Sequence, residues 1–232
     1  MAERFYTPDP LNPGEYVLTR AEAHHLAAVR RLGPGDRVTL FNGDGNEYPA
    51  EVLAAAKKSV TLTILATQPA DRELPFPLIV ASALPKGDRA DFLVEKLTEL
   101  GVTRFVPLVA ARSVVVPKEA AAEKFNRFVI EASKQCGRNR LMTVESPQKW
   151  KTFVARDDLP HARLVLHTGT ELPHMPQCDG AAVAVGPEGG FTVEELELAT
   201  AAGWAAISLG PRVLRVETAA VVAATILGAA TA

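Results

Sequence analysis

The residues best suited to chemistry lie in loops that follow predicted strands. The loop at residues 186–191, with the sequence GPEGGF, comes after the apolar run AAVAV and before a helix whose start is indicated by Thr192 and Glu195. Glycines at such a place allow backbone N–H groups to approach a ligand closely. The spacing matches neither a GxGxxG dinucleotide fingerprint nor a GxxxxGKS/T phosphate loop. A strand-to-helix turn with unusual backbone angles explains the glycines equally well.

Two further loops have the same placement. The sequence LGPRVLRVET, residues 209–218, follows the run AAISL and contains Arg212 and Arg215, and His167 ends the run RLVLH. Two arginines in such a loop favour an anionic or electron-rich ligand, although a solvated pair of Arg215 with Glu217 is the alternative. Because ligands bind beyond the carboxyl ends of parallel strands, the three loops predict one composite pocket.

Basic residues cluster in the middle of the chain. The sequence KQCGRNR, residues 134–140, lies just past a predicted helix and is similar to a phosphate-binding patch. The alternative is that these cations favour the carboxyl end of the helix because of its dipole. The chain of 232 residues has 25 basic and 27 acidic side chains. Net charge is −1 for residues 1–72, +3 for 73–150 and −4 for 151–232. A near-neutral total therefore does not exclude a nucleic-acid partner.

Other classes of protein lack support. The two cysteines, Cys136 and Cys178, form no CxxC pair, and the five histidines show no HExxH spacing, so no metal is predicted. The sequence shows no apolar signal-peptide core and no uncharged run of the roughly 20 residues that a membrane span needs. We therefore expect a soluble, cytoplasmic protein with no membrane partner.

Two domains of an α/β protein are predicted. Residues 1–72 alternate apolar and polar side chains in strands at 37–41, 47–53 and 59–66, which indicates a small antiparallel β-barrel. The proline-rich stretch 68–77 is predicted to be a linker. In residues 73–232 strands alternate with helices, which is typical of a mostly parallel sheet.

The predicted helices carry recognisable start and stop residues. They lie at residues 21–32, 88–100, 117–136 and 146–156, with one more after Thr192 and a last one after Arg215. Thr19, Asp88 and Ser146 are the expected N-caps, and Pro117 is placed in the first turn of its helix. Gly33, Gly101 and Gly137 are expected to follow the helix ends.

Four of these motifs together resemble a known family. GPEGGF, LGPRVLRVETAA, KQCGRNR and EKLTELGV are similar to the bacterial ribosomal RNA small subunit methyltransferase E family, which belongs to the SPOUT superfamily and methylates N3 of a uridine in 16S rRNA. The segment VRRLGPGDRVTLFNGDG resembles the PUA-like RNA-binding domain of that family. Val216 departs from the small polar residue that many members have there.

The resemblance implies a deep trefoil knot near the C-terminus, a homodimer and S-adenosylmethionine as the methyl donor. The domains implied are a PUA-like RNA-binding domain at 1–72 and a methyltransferase domain at 73–232. The positions that would bind the cofactor are Leu166, His167, Thr168, Gly186, Glu188, Gly189, Gly190, Leu209, Gly210, Val213 and Leu214.

The reaction and its substrate suggest further roles. Uracil N3 carries a proton, so Arg215 is expected to stabilise the developing anion and Glu217 to act as general base; the alternative is that these two side chains only orient each other. Two other functions stay open: a SPOUT enzyme acting on tRNA or 23S rRNA, and a non-catalytic RNA-binding module. The side chains expected to contact 16S rRNA are Arg4, Arg30, Arg31, Lys86, Arg112, Arg138 and Arg140.

Overall fold

The chain divides into two compact units, seen here in a computed structural model that describes residues 3–117, 121–168 and 179–229. Unit 1 comprises Met1–Glu73 together with Ser133–Leu141, and unit 2 comprises Leu74–Ala132 and Met142–Ala232. The sequence predicts a single boundary after residue 72 and places the whole of KQCGRNR in the second domain. The structure instead assigns residues 133–141 to unit 1, because the partners of Lys134, Arg138 and Asn139 all lie in the first part of the chain.

Unit 1 is built on a sheet. Its described strands are β1 (Glu3–Tyr6), β2 (Gly14–Thr19), β3 (Arg37–Phe41), β4 (Asn46–Ala55), β5 (Ser59–Ile64) and β6 (Gln68–Pro69), in the order β1-β3-β4-β5-β2 with β6 against β4. The pairs β3–β4, β4–β5 and β2–β5 are antiparallel, as the alternating pattern predicts. The pair β1–β3 is parallel, which a long connection permits and a tight turn does not.

The first predicted helix is shorter than expected. It consists of α1 (Arg20–His24) followed by a π-helical turn at His25–Val29, and the Thr19 side chain makes no capping hydrogen bond. Instead, the Glu22 carboxylate accepts from the backbone N–H of Tyr6 and from Lys134. The capping-box prediction is therefore wrong, because Glu22 is used for tertiary contacts.

The predicted linker is partly structured. Gln68 pairs with Glu47, and Pro69 with Asn46, as strand β6. Arg72 donates to the Glu47 carboxylate and to the carbonyl of Gly137. Residues 68–73 are thus held by side-chain and backbone bonds inside unit 1, against the expectation of an unpatterned spacer.

Unit 2 contains a parallel sheet. Its described strands are β7 (Leu78–Ala83), β8 (Arg104–Val109), β9 (Thr143–Val144), β10 (Gln148–Lys149), β11 (Ala162–Leu166), β12 (Ala181–Val185) and β13 (Ala205–Ile207). Their order is β10-β8-β7-β12-β11-β13, with β9 also on β8, and every pairing is parallel. The prediction of an α/β unit with a parallel sheet is confirmed. All carboxyl ends therefore face the same edge of the sheet.

Helices cover this sheet. They are α2 (Arg89–Glu99), α3 (Ala121–Cys136), α4 (Trp150–Val154), α5 (Val193–Ala201) and α6 (Val216–Ala229). The last four residues of α3, from Ser133, belong to unit 1. α6 packs against α2, β7 and β12, and the strands β7 and β12 are buried along their whole length. The core beside α4 and α5 contains a group of buried aromatic side chains: Trp150, Phe153, Phe191 and Trp204.

The helix boundaries correct several expectations. Asp88 makes no side-chain capping bond. The predicted start at Ser146 is wrong, because Gln148–Lys149 pair with β8 and delay α4 until Trp150. Pro117 precedes the described part of α3, and residues 118–120 lie outside the described residues. Thr192 does cap α5 in a reciprocal capping box with Glu195, as predicted.

Candidate active site

A cavity of about 350 Å³ lies at the carboxyl edge of three neighbouring strands, β12, β11 and β13. Its walls come from the loops that follow these strands, which is where parallel sheets bind ligands. All eleven residues that the resemblance assigns to cofactor binding line it: Leu166, His167, Thr168, Gly186, Glu188, Gly189, Gly190, Leu209, Gly210, Val213 and Leu214. The prediction of a composite pocket is therefore matched by the geometry. Residues 169 and 170 of the first loop lie outside the described residues.

The loop after β12 needs its glycines for space. A Cβ on Gly186 would lie 3.0 Å from the ring of Phe191, and one on Gly189 would lie 3.2 Å from Cδ of Arg112. Gly190 has a φ of +69°, which side chains other than glycine rarely adopt. Glycine is therefore required here by backbone conformation and close packing. The same packing brings the backbone of this loop to the cavity, so a structural reason for the glycines does not exclude a role in ligand binding.

A second loop, at the end of β8, holds the loop after β12 in place. Arg112 donates from Nη1 to the carbonyl oxygen of Gly189 at 2.7 Å, and the backbone N–H of Ala111 donates to Glu195 Oε1 at 2.8 Å. The other Glu195 oxygen accepts from the Thr192 N–H at 2.9 Å as part of the capping box. Arg112, which is predicted to contact RNA, also lines the cavity. Its side chain is exposed to solvent.

The loop after β13 presents two exposed arginines, Arg212 and Arg215. Ser208 and Gly210 exchange hydrogen bonds that shape the turn, and Gly210 has a φ of +108°. Arg212 lines the cavity, whereas Arg215 does not. Both side chains are exposed, and neither makes a hydrogen bond or ion pair with the part of the chain that the structure describes. The sequence motif predicts Arg215 as the catalytic arginine, whereas Arg212 of the same motif is the one that lies in the cavity wall.

Glu217 lies beside the cavity rather than in its wall. Val216 and Ala219 line the cavity, but the Glu217 side chain is 8% exposed and is absent from the lining. Its Oε1 is 3.4 Å from Nη1 of Arg89, while its Oε2 is buried without a hydrogen-bond partner among the described residues. The alternative of a solvated pair between Arg215 and Glu217 has no support in the described residues, where the partner of Glu217 is Arg89 at the start of α2.

Comparison with known proteins places this site in a family. Residues 72–228 match the RNA methyltransferase domain family, and residues 18–65 match the RNA methyltransferase PUA domain family. Ribosomal RNA small subunit methyltransferase E of Bacillus subtilis is 33% identical, covering 88% of this chain and 86% of its own length. The protein of the same name from Synechocystis is 34% identical, covering 93% and 73%.

The chain belongs to the ribosomal RNA small subunit methyltransferase E family. A crystal structure of the Neisseria gonorrhoeae member, bound to S-adenosyl methionine, is 30% identical, covers 99% of this chain and 98% of its own, and has a TM-score of 0.92. Among the described residues of this family member, no group of three or more histidine, cysteine or acidic side chains could hold a metal ion. Within the same residues, no helix is long and apolar enough to span a membrane.

Two of the arginines predicted to bind RNA are buried in unit 1. The Arg4 side chain pairs with Glu47 and donates from Nη2 to Asn139 Oδ1 at 2.5 Å. Arg138 forms a two-point pair with Glu73, at 3.1 Å from Nε and 2.5 Å from Nη2. We correct these two assignments, because buried guanidinium groups with carboxylate partners hold residues 133–141 in place and are not exposed to a nucleic acid.

The remaining predicted RNA contacts are exposed. Arg30 pairs with Glu3, and Arg31 follows it in the left-handed region with a φ of +58°. Lys86, in the loop after β7, is also exposed. Arg140 is exposed and rests against Gly45. Among the basic residues predicted to contact RNA, Arg4 and Arg138 are therefore buried and structural, and the others face solvent. Residue type alone does not predict this difference.

Proposed function

We propose that this chain transfers a methyl group from S-adenosylmethionine to N3 of a uridine in the 16S rRNA of the small ribosomal subunit. The observation that carries the proposal is the cavity at the ends of β11, β12 and β13, whose lining contains every position that the family resemblance assigns to the cofactor. The names of the Bacillus and Synechocystis relatives support the substrate. The ligand of the Neisseria relative supports the cofactor.

The lining has the chemical character that such a cofactor requires. Apolar side chains, including Leu166, Leu209 and Val213, can contact an adenine ring, while the glycine-rich loop offers backbone N–H and C=O groups for its polar parts. The close packing of Gly186 and Gly189 leaves no room for side chains that would narrow the cavity. When bound, S-adenosylmethionine would supply an electrophilic methyl group on its sulfonium.

The chain must make uracil N3 nucleophilic. Neutral N3 carries a proton, and loss of that proton to water leaves negative charge on the ring, so a cation beside the ring lowers the barrier. We assign this role to Arg212, because it lines the cavity and has no carboxylate partner in the described residues. Arg215, the first candidate from sequence, is retained only as a neighbour that contacts the RNA.

Glu217 is better suited to a positioning role than to proton abstraction. A general base must come within hydrogen-bond reach of the proton it removes, and the buried Glu217 carboxylate is outside the cavity lining. Its contact with Arg89 joins the first turns of α2 and α6. We propose that this pair fixes the start of α6, from which Val216 and Ala219 reach the cavity.

Further parts of the proposal rest on family membership. We include the C-terminal trefoil knot, a closed barrel in unit 1, the homodimer and a cytoplasmic location among them. The domain assignment is also retained as a proposal, with unit 1 acting in RNA binding and unit 2 in methyl transfer. The cavity favours an enzyme over a non-catalytic RNA-binding module, because a module of that kind has no need of the cofactor positions gathered there.

Mapping of modified nucleotides tests the function directly. The chain is expressed in a bacterial strain that lacks its own member of this family, and 16S rRNA, 23S rRNA and tRNA are digested and analysed by mass spectrometry. We expect one N3-methyluridine to return in 16S rRNA. Methylation confined to 23S rRNA or tRNA would contradict the substrate. Calorimetry with S-adenosylmethionine, at the same time, tests the cofactor, since absence of binding would favour the non-catalytic module.

A further inference from the structure

Unit 1 contains a second recess, distinct in its chemistry from the cavity of unit 2. It has a volume of about 280 Å³ and lies between the turn that joins β3 to β4, the segment after β6 and the end of residues 133–141. Its charged lining residues are Asp44, Asp71, Glu73 and Arg140. The recess is therefore polar and carries both signs of charge.

Most polar groups of the recess are already satisfied by the protein. Asp44 accepts from the Asn46 N–H at 2.8 Å and from the Tyr48 hydroxyl at 2.5 Å. Burial alone would raise the pKa of Asp44, but these hydrogen bonds outweigh it and hold the pKa below its usual value. Both oxygens of Glu73 accept from Arg138. These two carboxylates are fixed parts of the wall.

Two groups remain open to a ligand. Asp71 Oδ1 accepts from the Glu73 N–H at 3.1 Å, whereas Asp71 Oδ2 has no hydrogen bond or ion pair with the residues that the structure describes. Within the same residues, Arg140 has neither kind of partner, although carboxylates line the same recess. In this recess the Asp71 carboxylate can therefore accept hydrogen bonds from a ligand, and the Arg140 guanidinium can provide a positive charge.

The Arg140 guanidinium is supported on one side by backbone. Its Nε, Cζ and Nη2 atoms would lie 3.0 to 3.1 Å from a Cβ on Gly45, so the plane of the group faces this glycine. Gly45 also has a φ of +102°, so a side chain there would be strained as well as crowded. A guanidinium supported in this way is a platform on which an RNA base can stack.

The combination of groups selects the kind of ligand. A phosphate alone is disfavoured by the three carboxylates, and a metal cation is disfavoured by Arg140. A nucleobase has an electron-rich face for the guanidinium and an edge for the carboxylate. Guanine alone among the four RNA bases presents two adjacent donors, N1–H and the N2 amino group, that match the two oxygens of one carboxylate.

We propose that this recess binds a guanine of single-stranded RNA, stacked on Arg140 and read at its edge by Asp71. The inference rests on the proposed action of the chain on RNA and adds a base-specific contact outside the methylation site. Asn139 keeps the wall in place, since its side chain donates to the Ala70 carbonyl and accepts from Arg4.

Short RNAs that differ in one base test the proposal. Binding of the full chain to fluorescent seven-nucleotide RNAs is measured by anisotropy at fixed salt, with uridine throughout except for a central guanosine, inosine or adenosine. Inosine lacks the N2 amino group, so we expect guanosine to bind roughly tenfold more tightly, the value of one hydrogen bond to a charged group. Equal affinity for guanosine and inosine would overturn the proposal.

Variants separate the two contacts. Asp71→Asn should reduce the guanosine-to-inosine ratio to below about twofold, and Arg140→Ala should weaken all three RNAs while keeping the ratio, since stacking is not base-specific. Glu15→Gln and Arg37→Ala, exposed residues of β2 and β3, are matched controls that should change neither quantity. An unchanged ratio in folded Asp71→Asn would also refute the assignment.

The proposed function is tested independently of this site. If wild-type protein restores N3-methyluridine in 16S rRNA but shows no preference for guanosine, the recess proposal fails and the function stands. If the preference is present but no methylation of 16S rRNA returns, the recess proposal stands and the function fails.

Discussion

Two arginine-containing segments of this chain look alike in sequence and differ in structure. In LGPRVLR, residues 209–215, neither arginine has a protein partner among the described residues, and Arg212 lines the cavity. In CGRNR, residues 136–140, Arg138 is buried against Glu73 whereas Arg140 is exposed on Gly45. Each segment follows a regular element and contains a glycine with positive φ, Gly210 or Gly137.

The difference between the segments lies in their distant partners. Glu73 is 65 residues before Arg138 in the chain, and it approaches only because residues 133–141 fold into unit 1. For Arg212 the described fold supplies no carboxylate partner. In these two segments, the arginine bonded to a buried carboxylate is structural, and the arginines without such a bond among the described residues remain open to ligands. Three experiments test this contrast.

The largest effect is expected within the cavity loop. Arg212→Ala should lower the rate of methyl transfer by roughly 10²–10³-fold, the usual loss when a group that stabilises a developing anion is removed. Arg215→Ala, the matched variant in the same loop, should cost less than about tenfold. Single-turnover methylation of small subunits measures both rates. Equal losses would contradict the distinction between the two arginines, and a larger loss in Arg215→Ala would return the assignment to Arg215.

Chemical rescue distinguishes a direct role of Arg212 from a structural one. Added guanidinium ion should restore part of the rate of Arg212→Ala, and a higher pH should raise its relative rate because N3 then loses its proton without help. A variant that is merely misfolded would respond to neither treatment.

The second prediction concerns the buried arginine of unit 1. Arg138→Ala should lower the free energy of unfolding by about 3 kcal/mol, because it leaves the Glu73 carboxylate half-buried without its partner. Arg140→Ala should change the free energy of unfolding by less than about 0.5 kcal/mol, since that side chain makes no bond to the described residues. Urea unfolding followed by circular dichroism tests the pair. Similar losses in both variants would remove the distinction between the two arginines.

The smallest effect is a dependence of stability on pH. Burial raises the pKa of Glu47, but hydrogen bonds and charge from Arg72 and Arg4 outweigh this and leave the pKa below its ordinary value of 4.5. The ionised carboxylate therefore stabilises the folded state above that ordinary value, and the stabilisation is lost as the pH falls through the lowered pKa.

Glu47→Gln makes this linkage measurable. The variant should be less stable than the wild type by about 2 kcal/mol at pH 7, the value of hydrogen bonds to a charged group, and the difference should shrink as the pH falls below about 4. Glu15→Gln, in exposed β2, should show no such trend. If the difference in free energy of unfolding between Glu47→Gln and the wild type stayed constant across this pH range, the negative charge of Glu47 would not be the source of its stabilisation.

Much of the fold can be predicted from sequence. The alternation of strands and helices gives the parallel sheet of unit 2, because periodicity reports burial directly. Glycine and arginine directly after predicted strands indicate the loops 186–191 and 209–215 as parts of a binding site. The capping box of Thr192 with Glu195 formed as expected.

Other features depend on contacts that no local pattern contains. The Thr19–Glu22 spacing is the same as that of Thr192 and Glu195, yet Lys134 and the Tyr6 N–H take the Glu22 carboxylate. Arg212 lines the cavity and Arg215 does not, although only two residues separate them in one loop. The contact of Glu217 with Arg89 joins residues 128 positions apart, and no local motif links them. Spacing within a motif predicts which residues are candidates, and tertiary contacts decide among them.

The path of the backbone gives the order in which the protein can be completed. A ribosome releases residues 1–73 first, but Lys134, Arg138 and Asn139, which bond to Glu22, Glu73 and Arg4, emerge only after α2 and β8 have been made. Until residues 134–138 have been synthesised, the carboxylates of Glu22 and Glu73 therefore lack Lys134 and Arg138 as partners. A polypeptide released before residue 141 would lack the closing segment of unit 1, so an intact unit 1 shows that synthesis has passed this segment.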